Sequence, residues 1–450
     1  MPLRRRRRAG DRPSCRRPPR GSLGDRRRRE PGRVVRRDPC GGGAPGQRNT
    51  ALSLCARARR GPRGLGGEAV TARRVVLTGR GVVSPLGVGV DAHWDGLCAG
   101  RSGVARLGRL AALGLPASRG GAVAPDLIQP HLGRLPRKQQ KLYNRATLLA
   151  MLGAALAMED AGLEHGAGDP ARFGVVLGVN PLGWDLGAML AYLVASESVE
   201  APGTLDMARA NGFCMRNINP IDFSLKTLPN LAAGHVAIAH DAQGFCRAMT
   251  EGPIGGARAI GDAYRLIGEG DLDVALCGGA DAQLEELFFA TYWGAGLVAS
   301  DDGDHAGLTA GEGSGLLVLE AVEHARARGV RIRGEIVGFA GSAGESLHGD
   351  GIPAHDEAEA WALARVLGAR VETTPCLRMK AAHADLGAAA SPVELLACSA
   401  ALDRATLPPV VSANGLVSAS TLKSALVISL GLFGECAALM VRVWNPAGAR

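Results

Sequence analysis

The chain has 450 residues and a formal net charge of +9, and the charge is unevenly placed: residues 1–72 hold 21 Arg, no Lys and five acids, a net of +16, which leaves −7 for the rest. The whole is therefore not a basic, nucleic-acid-seeking protein but a mildly acidic body with an Arg-rich arm. The ten cysteines are dispersed without a C-x-x-C pair, which excludes a zinc ribbon and a disulfide framework and suits a cytoplasmic protein.

The arm is rich in Gly and Pro and free of aromatics. It cannot bury enough apolar surface to offset its ordering entropy, and it is expected to be disordered. Too little Ser for a transit peptide and no apolar run after the arginines argue against targeting. Its composition is also that of GC-rich sequence upstream of a start near Val70. From Arg73 the pattern changes. Arg73 to Gly79 predicts a β-branched strand, Gly81 to Gly87 a turn-rich loop, and Asp91 to Ala99 a short helix with Trp94 and Leu97 on one face. Phe173 to Gly178, Asp273 to Gly279 and Leu316 to Glu320 read as buried strands. Pro253 to Gly268 reads as a helix with Ile260, Ala263, Tyr264 and Ile267 inside, and Val322 to Arg328 as a charged helix. Apolar strands alternating with helices imply an α/β fold whose sheets are covered on both faces, in two related halves. Ser424 to Val443 is apolar, but Glu435, Gly431 and Gly434 interrupt it, so a buried hairpin is expected rather than a membrane span. The acidic run Asp301-Asp302-Gly303-Asp304 lacks calcium-loop spacing and reads as a solvated turn.

Several blocks, in order, carry a resemblance. They are Arg74 to Gly87, Leu97 to Gly103, Leu228 to Val236, Thr250 to Tyr264, Asp273 to Ala282, Gly311 to Gly315 and Leu386 to Ala389. Together they resemble the β-ketoacyl-acyl carrier protein synthases over nearly all of 73–450. The resemblance implies a thiolase-like five-layer αβαβα fold and a dimer. It divides the chain into an arm (1–72), an N-terminal half (73–325) and a shortened C-terminal half (326–450). It implies acyl carrier protein as partner, no cofactor beyond the phosphopantetheine arm that the carrier delivers, and no membrane.

In that family a reactive Cys opens the helix after the elbow strand, where the helix N-terminus lowers the thiol pKa. Here the position is Pro253, which suits a first helical turn but has no nucleophile. Cys246 lies seven residues earlier and is not placed to substitute, and Thr250 and Glu251 are nearer but lack an activating base. The family's first catalytic histidine falls on His348 in one register. In the other, 343–365 is the preceding segment and the histidine strand is lost. The second falls on His383, with one extra residue before Gly387. The family's Lys falls on Arg378, which cannot replace it simply, and the Asp before the Gly-Glu-Gly block is missing from His305-Ala306-Gly307-Leu308. Glu312 and His235 match family positions of structural character. Leu432 and Phe433 take the place of the gatekeeper run of the acyl tunnel.

Intact scaffold beside a lost nucleophile implies a non-condensing subunit resembling a chain-length factor, paired with an active ketosynthase or with itself. The alternatives are an active synthase or acyltransferase with an atypical nucleophile, and nucleic-acid binding through the arm, which the acidic body disfavours.

Overall fold

The computed structural model describes residues 73–450, apart from 165–167, 181–184, most of 344–373, 409–410, 413–421, 433–434 and 447–450. Its frame is a nine-stranded mixed sheet. The first strand, β1 (Val75–Ser84), is buried throughout. It runs on through the glycines where a loop was expected, with a register shift between Leu77 and Gly79. The loop is reduced to a tight return at Pro85-Leu86, after which Gly87–Val88 pairs back on the strand. Helix α1 (Val90–Cys98) follows and buries His93, Trp94 and Leu97.

Helix α2 (Arg145–Asp160) is capped by Asn144, whose side chain accepts from the Thr147 N–H, as N-cap chemistry requires. Strand β2 (Phe173–Gly178) is buried end to end. A helical excursion then carries α3 (Leu186–Ser196), α4 (Met207–Asn217) and α5 (Asn230–Ala239), and the chain returns as β3 (Cys246–Met249), parallel to β2 at the sheet's edge. A 3-10 turn, Gly252–Ile254, opens helix α6 (Gly255–Glu269). Next come β4 (Val274–Ala282), β5 (Glu312–Ala321), α7 (Val322–Arg328) and β6 (Gly334–Ala343). The chain closes with α8 (Ala390–Arg404), β7 (Ser424–Leu430) and β8 (Glu435–Arg442). The last two form the antiparallel hairpin expected of 424–443. No helix among the described residues is long and apolar enough to cross a membrane.

The order β7-β8-β6-β1-β5-β4-β2-β3 reveals the repeat. In the first half a 3-10 turn, a helix and two antiparallel strands succeed one another (Gly252–Ile254, α6, β4, β5). In the second half Gly387–Ala389, α8, β7 and β8 do the same. The trio β4-β5-β1 is antiparallel throughout, and so is β7-β8-β6. Helices α6 and α8 pack on each other and on strands of both trios, so they form the central layer, with α2 and α5 covering the outer face of the first half. One close approach joins the halves. A Cβ added at Gly256 or at Gly279 would lie 2.0 Å from the Ala388 carbonyl oxygen, so only glycine admits that carbonyl between α6 and β4.

Candidate functional site

Strand β3 ends at Met249, and the chain turns through Thr250, Glu251 and Gly252, whose φ of +57° is a left-handed value that favours glycine. Pro253 sits in the 3-10 turn, buried, and its carbonyl accepts from the Ser429 hydroxyl at 3.3 Å. Strand, tight turn and helix thus succeed one another here, with Pro253 at the turn. Beside it lies a cleft of about 370 Å³ lined by Thr250, Glu251, Gly252, Ile254, Arg258, Leu432 and Glu435. Glu251 and Arg258 form an ion pair across it at 2.8 Å. Leu432 of the gatekeeper run therefore reaches the elbow, while Phe433 and His348 lie outside the described residues. Cys246 is exposed at the start of β3 and does not line the cleft.

His383 is not at the cleft. It closes a four-residue helical turn, Lys380–His383, and is wholly buried. The next residue, Ala384, has a φ of +68°, which is strained for a residue with a Cβ. The His383 Nδ1–H donates to the Ala384 carbonyl at 2.7 Å, which fixes the tautomer and leaves Nε2 bare. That Nε2 is buried without a hydrogen-bond partner. Burial, reinforced by Lys380, lowers the imidazole to about 4, although the Ala384 carbonyl works in the other direction. The ring instead meets His93 of α1, centroid to centroid 5.7 Å. His93 is 1% exposed, its Nδ1 lies 2.7 Å from the Ser84 hydroxyl, and its Nε2 too is without a partner. Burial and the neighbouring imidazole hold it near 3.

Arg378 is exposed. The cation beside His383 is Lys380, paired with the buried Asp385 at 3.0 Å. Behind this segment Asp281 accepts from the Asn180 amide and from the Ala388 and Ala282 N–H groups. Burial, opposed by those N–H donors, raises its carboxyl to about 6.

Glu312 is buried and ties three segments: it accepts from the Val123 N–H at 2.9 Å and takes a bidentate pair from Arg145. His235 is half-buried, edge-on to Tyr143 at 5.0 Å between centroids. The run at 301–304 is an exposed turn; Asp301 accepts from the Ser118 hydroxyl and Asp302 from that of Ser300. Among the described residues no three metal-ligating side chains converge. The sequence reading missed the His93–His383 pair. The signal was present: Val90, His93, Trp94 and Leu97 share the buried face of α1 at helical spacing.

Comparison with known proteins agrees with this scaffold. Residues 72–325 match the family model of the β-ketoacyl synthase N-terminal domain, and 294–414 that of the C-terminal domain. A putative polyketide β-ketoacyl synthase 1 of Streptomyces halstedii is 30% identical over 383 residues, 75% of this chain and 87% of that protein. Nodulation protein E of Rhizobium sp. (strain N33) is 28% identical over 374 residues, covering 75% and 88%. Among solved structures, a β-ketoacyl synthase from Burkholderia phymatum STM815 superposes with a TM-score of 0.67 at 24% identity, over 83% of this chain and 100% of that one. The ishigamide ketosynthase/chain length factor gives 0.66 at 24%, with the same coverage. The chain belongs to the β-ketoacyl synthase family and has its thiolase-like fold.

Proposed function

We propose that this β-ketoacyl synthase-like protein of fatty acid or polyketide biosynthesis is a non-condensing subunit, resembling a chain-length factor, that assembles with an active ketosynthase and receives acyl carrier protein. The observation that carries the reading is Pro253 at the apex of an otherwise complete elbow. Condensation needs a thiolate to hold the acyl chain and imidazoles to stabilise the enolate, and His383 is sealed against α1 instead of lining the cleft.

Two surfaces support the assembly. The excursion between β2 and β3 exposes Leu190, Leu193, Val194, Leu205, Met207 and Met215, and it leads into β3, an edge strand that pairs only with β2 among the described residues. An apolar cluster beside an unpaired edge fits a protein partner. Separately, Arg137, Lys138 and Lys141 are exposed on one basic turn, which complements an acidic carrier protein. A chain of similar fold comes from a solved complex of a type II polyketide acyl carrier protein with its ketosynthase bound to the hexaketide.

The test is reconstitution of residues 73–450 with an active ketosynthase of the family and its acyl carrier protein. The reading expects a stable complex on gel filtration and a changed product length. Val194→Asp with Met215→Asp should weaken the complex at least roughly tenfold. A homodimer that ignores the synthase and leaves its products unchanged contradicts the pairing.

A further inference from the structure

We infer that His93 and His383 form an acid-operated latch that holds the 380–389 segment against helix α1. Independently of the proposed function, this follows from how the two rings are enclosed. His93 is 1% exposed and His383 0%, and neither Nε2 has a hydrogen-bond partner. Each ring commits its Nδ1, to the Ser84 hydroxyl and to the Ala384 carbonyl respectively. A doubly protonated ring at either position would therefore carry a buried Nε2–H with no acceptor. Two charged rings with centroids 5.7 Å apart would also repel inside the protein.

The surrounding charges offer no relief. Lys380 and Asp385, beside His383, neutralise each other, and Asp281 of β4, which accepts from the Ala388 N–H, is raised to about 6 by burial, so it loses charge as pH falls and gives a charged ring no counter-ion. On α1 itself Asp95 is exposed and Asp91 pairs with Arg404 of α8, the helix packed against α1. Arg101 reaches back to the Ala92 carbonyl. Ser84 of β1 is neutral. Burial keeps both rings well below the ordinary histidine value.

The latched segment lies outside the strands of the nine-stranded sheet. It is a four-residue turn followed by the strained Ala384, held to its surroundings by few backbone bonds, among them Gly103 N–H to Ala382 O and Asp385 N–H to Thr309 O.

The sign follows from linkage. Both rings titrate lower when folded than when released, so the latch is at full strength above about pH 6.5 and weakens as pH falls below it. If both rings regain an ordinary value near 6.5 on opening, the opening constant rises about 100-fold between pH 7.5 and 5.5. The experiment is hydrogen exchange of the full chain at those two pH values, corrected for intrinsic rates, read on peptides covering 84–98 and 378–389. The latch predicts the 100-fold rise there while β4 and β5 stay protected, and about tenfold in His93→Gln or His383→Gln. No rise, or an equal rise in β4 and β5, overturns it. Should the variants not fold, imidazole nitrogen shifts of the natural protein decide: both rings neutral at pH 5.5 supports the latch, and a charged ring in the folded protein overturns it.

Discussion

At the residue scale, the proposed function turns on two positions. Pro253 was legible in the sequence because the elbow block around it is continuous and one residue is of the wrong type. His383 was legible as a histidine of the right block but not in its direction. Its direction depends on the backbone around it, where Ala384 takes a φ of +68°, and sequence type alone does not show that. Restoring only the nucleophile should therefore fail. In Pro253→Cys the thiol would stand at the start of α6, where the helix favours the thiolate, yet no described histidine lines the cleft beside it. The expected outcome is no ketoacyl product above background when the variant is supplied with acyl and malonyl carrier protein. Product within tenfold of an active family member would show that an imidazole does reach the elbow.

At the element scale, burial made most of the frame readable. Phe173–Gly178 and Val322–Arg328 fall where periodicity places them, because a continuous apolar run and a charged, amphipathic one leave little choice. Gly81 to Gly87 was misread as loop. Glycines are poor strand formers by propensity, but β1 runs beneath α2, where side chains at Gly79 and Gly81 would strike the helix backbone. The glycines are there for close packing within a strand, which a single sequence does not distinguish from a turn. The same physics governs the joint at Ala388. Gly279→Ala would place a methyl 2.0 Å from that carbonyl oxygen, and overpacking against backbone cannot be relieved by a rotamer change. Urea unfolding should show a loss of about 3 kcal/mol or failure to fold. A change below about 0.5 kcal/mol, the range of ordinary surface substitutions, would mean the two halves meet differently.

At the scale of the whole molecule, the repeat of turn, helix and hairpin around α6 and α8 is what the alternation of strands and helices anticipated, and the family match gives it a lineage. The outward apolar surface was not legible: the apolar residues of α3 and α4 look like core in sequence, and only the fold shows Val194 and Met215 facing outward. The described residues pack as a family scaffold with Pro253 at the turn before α6, and the proposed function stands or falls on whether the chain ever carries an acyl group. The most direct measurement is the intact mass of residues 73–450 after incubation with acyl-loaded carrier protein, beside an active synthase of the family as control. The account predicts an unchanged mass while the control gains the acyl increment. A stable increment on this chain would reveal a working nucleophile and contradict it.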